Sequence, residues 1–378
     1  METVPLLEER SFAYWQQDIP ASYLKLSADE IAERIRVARA KLGTRLVVLG
    51  HHYQREDIIA FADFRGDSFK LAQWAAEKPE AEYIVFCGVH FMAEAADILS
   101  APHQKVILPN MAAGCSMSDM ADPDDVYNAW AELEELGLAQ DTLPVTYMNS
   151  AAALKAFVGE KGGAVCTSSN AAKVMAWAYA QKKRVFFFPD QHLGRNTGYG
   201  MGISLEQMVL WGWARPYGSM GGHTLEELQQ SRVILWAGHC SGHQRFTPQQ
   251  IEEARAKYPD IQVIVHPECR WETVQAADLN GSTEFIAKTI GNAPAGSKFA
   301  VGTEINLVSR LAKENPDKTV FCLDPVVCPC STMYRVHPAY LAWTIEALAE
   351  GHVVNQILVP EDIAANAKLA LGRMLAIK

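Results

Sequence analysis

The sequence predicts an α/β protein built from three similar α/β/α domains with short parallel sheets. From residue 45 onward, short β-rich apolar runs alternate with polar or glycine-bearing turns and helical segments. The runs are continuously apolar, as expected of parallel strands covered on both faces. Nine of them occur, too many for one small sheet and too irregularly spaced for an eight-fold barrel.

Taken in order, the chain opens with a helical lead-in over residues 1–44. Ser27-Ala28-Asp29-Glu30 reads as a capping box, Ile31, Ile35, Ala38 and Leu42 share one helical face, and Gly43 ends the helix. The first domain, 45–122, holds the runs Leu46–Leu49, Tyr83–Phe86 and Lys105–Leu108. The second, 123–215, begins where Asp122 caps a helix with Pro123 at its first position and Gly137 closing it. Its strands are Pro144–Tyr147 and Val185–Phe188. The third, 216–325, takes Arg232–Leu235, Ile261–Val265, Lys298–Val301 and Thr319–Cys322, with Thr247-Pro248-Gln249-Gln250 starting a helix between them. Residues 326–378 form a loop and C-terminal helices that pack back on the core, the last of them a surface helix from Glu361. No Pro/Gly/Ser-rich linker separates the domains, and no fixed-period repeat is present.

Composition excludes several function classes. The 378 residues carry 34 Lys+Arg against 44 Asp+Glu, a formal charge of −10, so no basic surplus exists to displace counterions from nucleic acid or an anionic membrane. At 49% hydrophobic and 21% charged residues the chain is a folding one. Eight cysteines are too sparse for a disulfide scaffold. Met1–Arg10 has early acids and no apolar core, and no run of about 18 apolar residues occurs, so neither a secretory signal nor a membrane helix is expected. A reducing cytoplasm is the expected compartment.

In parallel α/β layers, functional residues gather in turns beyond the carboxyl ends of strands. Those turns here are rich in Cys, His, Glu, Tyr, Asn and Ser, as in Gly50-His51-His52-Tyr53-Gln54, Gly238-His239-Cys240-Ser241-Gly242-His243 and His266-Pro267-Glu268-Cys269. Five cysteines lie in such turns: Cys115, Cys240, Cys269, Cys328 and Cys330. Cys87, Cys166 and Cys322 adjoin strand runs, where a free cysteine is a small buried hydrophobe. No zinc-finger or ferredoxin spacing is present. One thiolate per domain meeting at a centre would hold an iron–sulfur cluster by three irons and leave the fourth open; idle turn cysteines are the competing reading. Gly198-Tyr199-Gly200-Met201-Gly202-Ile203 breaks G-x-G-x-x-G, and no Walker A sequence occurs. His51-His52, or His239 with His243, lack the partner pair a zinc site needs. Glu268 beside His266 reads equally as an exposed surface pair.

These motifs, in their order, resemble quinolinate synthase, the iron–sulfur enzyme of de novo NAD synthesis. The resemblance covers most of residues 45–350 and includes Ala62–Ser68, Cys87–Glu94, Ala113–Met117, Tyr147-Met148-Asn149, Cys166–Ala171, Phe188–Gly194, Trp236–His243, His266–Cys269 and Gly281-Ser282-Thr283. It implies three α/β domains around a pseudo-threefold axis, with the active site and a [4Fe–4S] cluster at the centre. Cys115 and Cys240 are then ligands. The third falls in Cys328-Pro329-Cys330-Ser331-Thr332-Met333, which departs from the commoner Cys-Pro-x-Met; we take Cys330, with Cys328 a redox partner or a neighbour. The implied substrates are iminoaspartate and dihydroxyacetone phosphate, with aspartate oxidase a possible supplier of the first. Substrate binding falls to His51, Ser68, Tyr147, Asn149, Ser168, His266, Glu268 and Thr283, and acid–base chemistry to Tyr53, Glu268 and His243. The rivals are another three-cysteine iron–sulfur enzyme, such as a diphosphate-reducing isoprenoid enzyme or a diphthamide-type radical enzyme, an iron–sulfur carrier or sensor, and a metal-free α/β protein.

Overall fold

The structure, a computed structural model, describes residues 18–326 and 329–377. Its strands are β1 (Leu46–His51), β2 (Phe64–Gly66), β3 (Tyr83–Cys87), β4 (Lys105–Ile107), β5 (Thr142–Tyr147), β6 (Ala164–Cys166) and β7 (Arg184–Phe188). They continue as β8 (Met208–Trp211), β9 (Val233–Trp236), β10 (Gln262–Val265), β11 (Leu279–Asn280), β12 (Lys298–Gly302), β13 (Thr319–Cys322) and β14 (Gln356–Ile357). All nine expected strands are present. The class is α/β with three mainly parallel sheets.

The chain divides into two compact units. One comprises Met1–Cys115 and Pro329–Val359. Its sheet runs β14-β4-β3-β1-β2, parallel except for β14, which pairs antiparallel with β4. The pairing of Leu46 with Tyr83 and Val48 with Val85 puts two fully buried strands side by side at the sheet centre. The lead-in helix Ala28–Leu42 has the expected capping box, Ser27 with Glu30, and a Gly43 C-cap at φ +54°. Its buried face, Ile31, Ile35, Ala38 and Leu42, lies against the helix Pro338–Ala349, and Glu346 of that helix accepts from Tyr23 Oη (2.6 Å) and Arg34 Nε (2.9 Å).

The other unit comprises Ser116–Cys328 and Pro360–Lys378. It contains two all-parallel sheets, β6-β5-β7-β9-β8 and β11-β10-β12-β13. Here the expected cut near 216 needs correcting. The run Arg232–Leu235 falls in the expected third domain, yet the strand it forms, β9, pairs with β7 (Val185 with Val233) and β8 (Trp211 with Trp236), inside the second sheet. The stretch 211–231, which reads as an insertion, is the crossover between β8 and β9. It turns through Gly218, Gly221 and Gly222 and then forms the helix Leu225–Gln230 under a Thr224–Glu227 capping box.

The last helix, Glu361–Ala376, is more than a surface element. It buries Ala367, Ala370, Leu371 and Met374 and lies against the helix Ala152–Glu160. Gly159 permits that approach: a Cβ there would stand 1.9 Å from the Asn366 carbonyl oxygen. Arg373 Nη1 fastens the contact by donating to the Gly159 and Gly163 carbonyls at 3.0 and 2.7 Å.

Candidate active site

The second unit brings five of the expected site residues into one buried network. Tyr147 ends β5, His266 and Glu268 occupy the turn after β10, and Cys240 and His243 occupy the turn after β9. Strand ends deliver them because parallel strands direct their carboxyl termini to one edge of a sheet. Tyr147 Oη donates to Glu268 Oε1 at 2.7 Å, and His243 Nδ1 lies 2.8 Å from Glu268 Oε2, so each carboxylate oxygen has its own donor. His243 Nδ1 also stands 3.2 Å from Cys240 Sγ. The His243 and His266 rings stack at 4.6 Å. Glu268, His243 and His266 are 4%, 4% and 2% exposed, which removes the reading of Glu268 and His266 as a surface pair.

The protonation pattern follows from these contacts. Burial opposes ionisation of Glu268, but His243, then His266, and the hydrogen bonds from His243 and Tyr147 outweigh it and hold the carboxyl at about 2, below the usual carboxylate range. His266 behaves oppositely: burial pushes its pKa down to about 3. Its Nδ1 accepts the Glu268 backbone N–H at 3.3 Å, so that nitrogen carries no proton and the 4.0 Å approach to Glu268 is no ion pair. The two direct contacts on the Glu268 carboxylate are those of His243 and Tyr147. On the far side of the ring, His243 Nε2 lies 3.1 Å from the Thr303 hydroxyl. Thr303, at the end of β12, is absent from the sequence-derived set. Its place after the Lys298–Gly302 strand was the available signal.

Asn149, Ser168 and Thr283 stand in the turns after β5, β6 and β11 and are not hydrogen-bonded to this network. Asn149 and Ser168 are half-buried, whereas Thr283 is buried at the start of the helix Thr283–Asn292.

The first unit holds the remaining residues. His51 ends β1, and its Nδ1 accepts the Tyr53 backbone N–H at 3.1 Å, with the two rings 5.0 Å apart. Ser68 starts a helix capped by Asp67. The turns carrying Cys115 and Cys330 are fastened together. Asn110 Nδ2 donates to the Arg335 carbonyl (2.8 Å), and Arg335 Nη1 donates back to the Ala112 carbonyl (2.6 Å). Cys330 joins that clamp through its carbonyl, which accepts from Tyr334 N at 2.9 Å. The same loop reaches the His51 turn, because Gln54 Nε2 donates to the Met333 carbonyl (3.3 Å) and the Arg55 guanidinium lies 4.4 Å from the Tyr334 ring centre.

The cysteines separate into two kinds. Cys115, Cys240 and Cys330 are partly exposed in turns, outside any disulfide. Cys87, Cys166 and Cys269 are wholly buried, and burial pushes their thiols up, Cys87 to about 12. Cys269, read from sequence as a turn residue, belongs to an apolar cluster with Phe246, Ile251, Val263 and Val274. Cys322 is part-buried with its thiol also raised by burial. Cys328 lies outside the described residues. A metal-competent donor set does exist among the described residues: Cys240, His243 and Glu268 offer sulfur, nitrogen and oxygen atoms all within 4.8 Å of one another. His243 thus pairs with Cys240 and Glu268, and not with His239 as a zinc reading requires. No described helix is long and apolar enough to cross a membrane.

Comparison with known proteins gives one consistent answer. The family model described as "Quinolinate synthetase A protein" matches residues 33–376. A quinolinate synthase of Corynebacterium glutamicum is 59% identical over 362 residues, covering 96% of this chain and 91% of that protein. Those of Anoxybacillus flavithermus and Streptomyces coelicolor are 55% and 53% identical, each covering 95% of this chain and respectively 96% and 91% of their own lengths. With matches of this extent and a site of this composition, the chain belongs to the quinolinate synthetase A protein family.

Proposed function

We propose that this enzyme condenses iminoaspartate with dihydroxyacetone phosphate to give quinolinate, phosphate and two waters, in de novo NAD biosynthesis. The observation that carries the reading is the buried Tyr147–Glu268–His243 network beside the thiol of Cys240. Cys115, Cys240 and Cys330 would hold a [4Fe–4S] cluster. They suit that role because they are the partly exposed, turn-borne thiols, while the strand and core cysteines are kept protonated by burial. When bound, the cluster supplies a Lewis-acidic iron able to polarise a substrate oxygen.

The chain's own residues then handle protons and charge. Glu268, ionised and buried, is a fixed base whose two oxygens are aimed by Tyr147 and His243. His243, aligned by Thr303 on its far nitrogen, moves a proton at Nδ1. Neutral His266 donates from Nε2, since its Nδ1 is an acceptor. Tyr53, His51, Ser68, Asn149, Ser168 and Thr283 supply further donors at strand ends for the carboxylates and the phosphate, and Tyr53 takes a share of the acid–base work. We place the enzyme in the cytoplasm, supplied with its unstable imine substrate by an aspartate oxidase.

The test is anaerobic. The purified chain should contain iron and sulfide in a 4:4 ratio and form quinolinate from the two substrates. Absence of quinolinate with an intact cluster rejects the reaction. Absence of iron after anaerobic reconstitution rejects the cofactor.

A further inference from the structure

The helix Gln191–Gly200 joins the two turns that carry the catalytic network. At its start, Asp190 Oδ1 accepts from the backbone N–H groups of His192 (2.6 Å) and Leu193 (3.1 Å), capping the helix. Asp190 also forms a parallel bridge with Gly238, and Gln191 N donates to the Gly238 carbonyl at 3.0 Å. Gly238 lies two residues before Cys240 and must be glycine, because a Cβ there would stand 2.4 Å from the Pro189 carbonyl oxygen. Farther along the same helix, Asn196 is buried, and its Nδ2 donates to the carbonyls of Pro267 (2.9 Å) and Cys269 (2.8 Å). Those carbonyls flank Glu268. Both protons of one amide are therefore spent on the carbonyls of the residues before and after the proposed base.

Local stability does not favour such a residue. Asn is a poor helix former in mid-helix, and Asn196 Oδ1 accepts no hydrogen bond from the protein despite its burial. Two local preferences are overridden at one position, which is the pattern expected where function sets the residue. We infer that Asn196 is a positioning residue: its amide clamps the Glu268 backbone so that the carboxylate meets Tyr147 and His243, and the helix ties that turn to the Cys240 turn. The inference rests on the function proposed above for Glu268.

The test compares Asn196→Leu, of similar size without donors, with Glu268→Gln and the double variant in the cluster-loaded enzyme. Amide hydrogen exchange is read in parallel over residues 266–270. We expect kcat to fall about 100-fold with KM changed by less than about twofold, as for a misplaced catalytic group. We expect no additional loss when the change is added to Glu268→Gln. Exchange over 266–270 should rise roughly tenfold while β10 is unaltered. Equal losses in both backgrounds, or unaltered exchange over 266–270, overturn the inference. If the wild-type enzyme makes no quinolinate, the functional reading fails, and the exchange measurement still decides whether Asn196 clamps the turn. Should Asn196→Leu not fold, Asn196→Ser keeps one donor and must show smaller effects in the same direction.

Discussion

Tyr147→Phe removes one of the contacts that hold Glu268 ionised. The change removes one oxygen from a 2.7 Å hydrogen bond between two buried groups and leaves the ring in place. Hydrogen bonds to a charged group contribute about 1.5–3 kcal/mol. At about 1.36 kcal/mol per pH unit, that corresponds to a rise of about one to two in the Glu268 pKa, from its present value of about 2. The sign follows from linkage. A carboxyl depressed in the folded state stabilises the protein above its unfolded pKa and loses that contribution as pH falls through the folded value. The variant should therefore be less stable by about 1.5–3 kcal/mol at pH 7, and the difference should shrink on acidification between about pH 4.5 and pH 2. Urea unfolding of the reduced, cluster-free chain at several pH values measures it. In a Glu268→Gln background the bond is neutral and Tyr147→Phe should cost only about 0.5–1.5 kcal/mol. A loss that stays constant from pH 7 into the acid range, or one unchanged by Glu268→Gln, refutes the reasoning.

Three further outcomes follow from the same geometry. Serine at Cys115, Cys240 or Cys330 should each abolish most of the cluster iron and its visible absorption, whereas Cys87→Ser and Cys269→Ala should retain both; anaerobic iron analysis decides. Gly159→Ala drives a methyl toward the Asn366 carbonyl at 1.9 Å and should destabilise the chain by about 1–3 kcal/mol in urea unfolding. An unchanged midpoint would mean that the helix Glu361–Ala376 retreats freely. Thr303→Val removes the hydroxyl that hydrogen-bonds His243 Nε2 and should lower kcat about tenfold or more, with recovery in Thr303→Ser. Equal rates for Val and Ser would remove Thr303 from the site.

What was legible in the sequence divides along physical lines. The nine strands read correctly include every interior strand of the three sheets, because burial on both faces writes a continuous apolar run. The five missed, β2, β6, β8, β11 and β14, are all edge strands of two to four residues, too short to carry a pattern. Misplacing Arg232–Leu235 has the same origin: strand order within a sheet is a long-range property, and the long β8–β9 crossover looks like a boundary. Around Glu268, the motifs of the family resemblance named Tyr147, His243 and His266, and the structure brings these residues together. Thr303 and the Asn110–Arg335 clamp were not legible, since those bonds depend on how separate elements meet. Cys269 shows the converse limit, because a turn position does not say which way a side chain points.

The interrupted build of the first unit also bears on the order of events at the ribosome. Its first segment ends at Cys115 and its second begins at Pro329, so the whole stretch Ser116–Cys328 is synthesised between two cysteine turns that must later be clamped together. Strand β4 stays an open edge until β14 emerges, and the Ala112 carbonyl waits for Arg335. Both sheets of the inserted unit have all their strands before that moment. A prematurely terminated chain thus leaves the Cys115 turn without the Arg335 loop that clamps it and the β4 edge without its partner strand.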